Sequence, residues 1–94
     1  MDFFLKNVRD TLEAINKLID NNVNMVNTKR IRRYNKIKPS NRSKINFIWR
    51  SLAFLEENGV LEMNGSISPR CYKIKHNSKI NIEEFIGKIE KERK

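Results

Sequence analysis

Ninety-four residues, 38% of them apolar, suffice for one domain with a modest core and not for two. One cysteine, Cys71, excludes an internal disulfide framework, and no run reaches the roughly 18 consecutive apolar residues of a membrane span. The net charge of +9 is concentrated: residues 1–20 carry three basic and four acidic side chains, residues 56–94 eight and seven, and residues 21–55 nine and none.

The opening Met1-Asp2-Phe3-Phe4-Leu5 has neither a basic start nor a small-residue cleavage site, so no secretory signal is expected and the chain reads as cytoplasmic, without a membrane partner. Leu5, Val8, Leu12, Ile15 and Ile19 then recur at spacings of three and four, predicting a first helix, widened by Leu18 and ended by Asn21-Asn22. Val23 to Val26 predicts a brief strand. Asn27 and Thr28 suit the cap of a second helix running to about Ile37, with Ile31 and Tyr34 towards the core and Arg30, Arg32 and Arg33 around the remainder. Pro39 breaks that helix, and Ser40 is placed to cap a third. From Ser40 to Asn58 the apolar positions Ile45, Ile48, Trp49, Leu52 and Leu55 follow helical spacing, which assigns Trp49 to the core. Gly59 stands where a left-handed residue is wanted after the helix. Val60 to Met63 and Cys71 to Lys75 predict the strands of a hairpin around Asn64-Gly65, with Tyr72 and Ile74 on one face and Lys73 and Lys75 on the other. A last helix from about Ile82 carries Ile82, Phe85, Ile86 and Ile89 on one side. The expected class is mainly α with a small β-hairpin, in the order helix, short strand, helix, turn, helix, hairpin, helix.

A solvated face normally mixes both signs of charge, because crowded like charges repel. Nine cations without a carboxylate in residues 21–55 point instead to a polyanionic partner, nucleic acid first among them. Their placement fits a helix-turn-helix, in which one helix props a second whose N-terminal half reaches base edges in the major groove. Residues 28–37 match the support and residues 41–58 the reader. Opposite the apolar stripe of the reader stand Ser43, Asn46, Phe47 and Arg50, with Arg42 near its start. Arginine donates bidentately to guanine, asparagine pairs with adenine, and an aromatic edge meets a thymine methyl. Lys29, Arg30, Arg33, Lys36, Lys38 and Lys44 are assigned to phosphates, where they set register without reading sequence.

The run Leu52-Ala53-Phe54-Leu55-Glu56-Glu57-Asn58-Gly59-Val60-Leu61 resembles the end of the recognition helix entering the wing in winged helix-turn-helix proteins, and Arg70-Cys71-Tyr72-Lys73-Ile74 resembles their second wing strand. The likeness spans roughly residues 5–75. It implies a DNA-binding domain over residues 1–79, with a wing tip from Ser66 to Arg70 along the backbone or minor groove and Ser68, Arg70 and Lys73 as wing contacts. The turn at Lys38-Pro39-Ser40 departs from the pattern by lacking a glycine. Size and the additional terminal helix, residues 80–94, are similar to archaeal PadR-like regulators and to the small centromere-binding proteins of archaeal plasmid partition. The first likeness implies a transcription regulator. The second implies dimers that spread along plasmid DNA and bind a partition adaptor protein that recruits an ATPase. Either places the protein on the nucleoid or a plasmid.

The stripe of the last helix has no evident place in so small a domain, and an apolar stripe unburied in its own chain usually finds another. The expectation is a homodimer with an isologous interface over Phe4, Leu5, Ile82, Phe85, Ile86 and Ile89, its reading helices roughly 34 Å apart. Cys71 and His76 are too few for a structural zinc site, and neither has the base and orienting group that a nucleophile needs. With three glycines and no Gly-rich phosphate loop, neither enzyme activity nor a cofactor is expected. A non-specific architectural or single-strand binder is disfavoured because stacking aromatics do not line a basic groove. A protein-interaction module is disfavoured by the acid-free stretch.

Overall fold

A computed structural model describes residues 3–63, 71–75 and 78–92. They form a mainly helical fold with one small antiparallel sheet: α1 (Phe3–Asp20), β1 (Met25–Val26), α2 (Thr28–Tyr34), α3 (Arg42–Glu57), β2 (Leu61–Met63), β3 (Tyr72–Ile74) and α4 (Ile82–Glu92). Among the described residues no helix is long and apolar enough to cross a membrane.

Three helices end the same way. After α1, Val23 N–H donates to Leu18 C=O at 2.8 Å and Asn22 N–H to Ile19 C=O at 3.0 Å, with Asn22 at φ 60°. After α2, Ile37 N–H donates to Arg32 C=O and Lys36 N–H to Arg33 C=O, with Lys36 at φ 55°. After α3, Val60 N–H donates to Leu55 C=O and Gly59 N–H to Glu56 C=O, with Gly59 at φ 78°. Each is a Schellman closure, whose left-handed residue lets the chain satisfy carbonyls the helix leaves open, and after α2 and α3 the following apolar residue, Ile37 or Val60, turns back to the core. The expected role of Gly59 is met. The second helix, however, stops at Tyr34 and not at Ile37, because Lys36 takes the left-handed position although it is not glycine. Ser40 is not the cap of α3 either. That role belongs to Asn41, whose side chain accepts from Lys44 N–H, while Asn27 caps α2 by accepting from Arg30 N–H at 2.8 Å.

The sheet order is β1-β3-β2, with Val26 opposite Tyr72, and Tyr72 in turn opposite Met63. Tyr72 and Ile74 point into the core and Lys73 and Lys75 to solvent, as strand alternation requires. The hairpin turn expected at Asn64-Gly65 lies outside the described residues.

The core is gathered around α1, whose Leu5, Val8, Leu12, Ala14 and Ile15 meet Ile48, Leu52 and Leu55 of α3. The terminal helix packs on it as well. Ile86 and Ile89 are only 2% and 5% exposed, Leu5 is equally buried, and Phe4, Ile82 and Phe85 are half-buried against the same cluster. Phe54 of α3 joins the two ends of the chain through edge-to-face contacts with Phe4 and Phe85, at 5.3 and 6.5 Å between centroids. Asn16 fixes the approach to α4 by exchanging two hydrogen bonds with the Ile80 backbone, at 2.8 and 3.0 Å. Arg9 pairs with Glu83 across the α1–α4 seam, and Lys79 with Asp20. The six residues expected to form a two-fold interface are thus engaged within their own chain. The stripe of α4 closes over α1, because the Asn16–Ile80 pair folds the chain back at that point.

Tyr34 also departs from expectation. It is 45% exposed and lines a surface cleft with Glu13, Asn16 and Lys79.

Candidate nucleic-acid interface

The face that α3 presents is set by its rotation about its own axis. Buried positions are Ile48, Ser51, Leu52 and Leu55, whereas sequence periodicity centres the stripe on Ile45, Ile48 and Leu52. At 100° per residue, the helix is turned by roughly half a residue step from expectation. Ser51 makes this possible. Its hydroxyl donates to Phe47 C=O at 2.7 Å, so a polar side chain enters the core with its hydrogen bond satisfied. In exchange Trp49, expected in the core, is 47% exposed.

The rotation leaves Arg42, Ser43, Asn46 and Arg50 exposed together on the outward side, with Trp49 at its edge. Two predicted residues do not join them. Phe47 is half-buried and meets Phe3 edge-to-face at 4.8 Å, so it covers the start of α1 and is not free to read a base. Lys44 is exposed on the opposite flank, in a cleft shared with Asn7 and Asp10 of α1.

On α2, burial of Ile31 turns Lys29 and Arg33 outward, and Arg30 is exposed beside them. Lys36 and Lys38 are exposed in the turn that joins α2 to α3. Arg32 is half-buried and donates from Nη1 to Ile37 C=O at 3.2 Å, which holds its guanidinium along that turn. Among the described residues, none of the nine cations from Lys29 to Arg50 forms an ion pair with a carboxylate. The two ion pairs among the described residues fall on α1 and on the residues around α4. There the hydrogen bond from Arg9 holds the Glu83 carboxyl below its ordinary value, and the same bond raises the Arg9 guanidinium.

Between α2 and α3 lies an open groove of about 620 Å³. Thr28, Lys29 and Arg32 form its α2 side, and Ile45, Asn46 and Trp49 its α3 side. Of these six, only Lys29 and Asn46 belong to the sequence-derived set. The signal was present in the helical wheel, where Ile45 and Trp49 sit at the stripe edge beside Asn46, but burial of Ser51 was needed to expose them. At the hairpin, Lys73 is exposed on β3, away from the core. Ser68 and Arg70, the other expected wing residues, and His76 lie outside the described residues. Cys71 is half-buried, and its Sγ accepts from Asn27 Nδ2 at 3.9 Å.

The chain matches no family model, and comparison with curated proteins and with solved structures finds no match.

Proposed function

We propose that the chain is a winged helix-turn-helix protein that binds double-stranded DNA, with α2 as the supporting helix and α3 as the reader. The observation that carries this is the cationic surface of residues 28–50. Eight of its nine basic side chains are exposed, and among the described residues none is neutralised by a carboxylate. A surface so charged repels itself until a polyanion covers it, and DNA phosphates do so while releasing their counterions. Arg42, Asn46 and Arg50 share the exposed side of α3, where arginine and asparagine match the donor and acceptor patterns of guanine and adenine. Lys29, Arg30, Arg33, Lys36 and Lys38 flank it and serve the backbone. Sequence-specific duplex binding of this kind suits a transcription regulator. A plasmid partition factor uses the same chemistry at the DNA.

The test is fluorescence anisotropy with duplexes selected by the full chain from a random-sequence pool. Arg50→Ala weakens binding to the selected site by about 1–3 kcal/mol and relaxes preference at one position. Arg33→Ala weakens all duplexes alike and lowers the salt slope by about 0.9. Wild-type binding by both variants would remove α2 and α3 from the interface. Footprinting then separates the two roles: protection fixed at one site marks a regulator, and protection that extends outward with concentration marks a spreading partition factor.

A further inference from the structure

We infer that the α2–α3 groove is a thymine-reading subsite: it seats a thymidine unit of one DNA strand, with the C5-methyl and deoxyribose on Ile45 and Trp49 and the adjoining phosphates on Lys29 and Arg32. The inference rests on the DNA-binding proposal and adds a specificity-determining role for two residues that sequence periodicity assigns to the core. Its starting point is an oddity of the surface. An indole 47% exposed on a basic protein leaves apolar area in water. It does so in a groove shared with Ile45 on α3 and with Lys29 and Arg32 on α2, so the groove is apolar on one wall and positive on the other. That pairing matches a nucleotide, which is apolar along its sugar and anionic at its phosphate.

Thymine is favoured over the other bases by the position of Asn46. It lies one residue after Ile45 and three before Trp49, lining the same groove. Asparagine at the major-groove edge pairs with adenine N6 and N7, and the only apolar group that edge offers is the thymine methyl. The expected half-site therefore places a thymine next to the adenine read by Asn46. A volume of about 620 Å³ far exceeds a methyl group and accommodates the sugar and backbone with it. Arg32 lines the groove, and its guanidinium is already ordered by its bond to Ile37 C=O, so its remaining N–H groups meet a phosphate with little further ordering.

Trp49 is the sole tryptophan in the chain, which makes its emission a direct reporter. The full chain is titrated with a fluorescein-labelled duplex selected from a random pool, and anisotropy and acrylamide quenching of Trp49 are followed together. Quenching falls as anisotropy rises, with the same midpoint. Thymines in the duplex are then replaced one at a time by deoxyuridine. One replacement per half-site weakens wild-type binding about fourfold, the equivalent of ~0.8 kcal/mol for a buried methyl. Trp49→Ala binds more weakly and loses that uridine effect, whereas Trp49→Phe retains it. Circular dichroism verifies that both variants fold. If anisotropy rises while Trp49 keeps its emission and quenching, or if no uridine replacement matters, the subsite is refuted and DNA binding stands. If no duplex raises the anisotropy, the DNA-binding proposal fails and the subsite with it. A change in Trp49 that follows protein concentration without DNA would instead assign the groove to a second copy of the chain.

Discussion

Ile86→Ala separates a core residue from an interface residue. Ile86 is 2% exposed, packed between α1 and the remainder of the core. Truncation removes the transfer energy of three carbons and leaves a cavity, which for isoleucine costs about 2–5 kcal/mol. The lower half of that range applies, since the polar ties from α1, at Ile80 and Glu83, lie ahead of Ile86, and the helix beyond them can settle towards α1. A domain of this size has a total stability of roughly 5–14 kcal/mol, so a loss of about 2–3 is large. It lowers Tm by roughly 4–8 °C per kcal/mol. The assay is urea unfolding followed by circular dichroism at two protein concentrations, with sedimentation equilibrium on the same samples. The midpoint falls equally at both concentrations, and the sedimenting mass of the variant equals that of the wild type. An interface residue behaves differently, because the stability it supplies depends on protomer concentration. A variant with unchanged intrinsic stability, a concentration-dependent midpoint and a reduced mass would refute the packing of α4 on its own α1.

Three further perturbations probe single contacts. Asn16→Ala leaves the half-buried Ile80 N–H and C=O without partners and costs about 1–3 kcal/mol, with faster amide exchange in α4 as the specific readout. Lys36→Gly relieves a left-handed residue and raises stability by about 0.5–1 kcal/mol, and on the proposed function its lost charge weakens DNA binding and reduces the salt slope; a fall in Tm would contradict the backbone assignment. The Glu83 carboxyl is held below its ordinary value of 4.5, so its pairing stabilises the fold above that pH and is lost as the pH falls through the lower folded-state value. Glu83→Gln therefore removes part of the acid sensitivity seen in urea midpoints below pH 4.5, and an unchanged pH profile would show that the pair is inert.

What could be read from the chain alone was whatever neighbours in sequence decide. Leu5, Val8, Leu12 and Ile15 repeat at the helical period and are buried in α1. Asn27 caps α2, Gly59 closes α3 in the left-handed region, and Tyr72 and Ile74 share the inner face of β3. Each rests on local geometry that holds wherever the segment is placed. Sequence pattern extends the second helix past its true end for a related reason: a left-handed lysine carries no mark in the sequence, and only the closure of Ile37 onto Arg32 reveals Lys36 as one.

The tertiary structure decided the rest. Periodicity shows that α3 and α4 each have an apolar stripe, but not which surface will cover it or at what rotation. On α3, the fit of α1 buried Ser51, satisfied by Phe47 C=O, and turned Trp49 out beside Asn46. Phe47 was drawn instead towards Phe3. On α4, a stripe equally suited to a partner was closed onto α1 by two hydrogen bonds between Asn16 and Ile80, 64 residues apart. Hydrophobic burial is non-directional, so the amount of apolar surface is written in the sequence. Which surfaces meet depends on long-range contacts, and these exist only once the chain has folded.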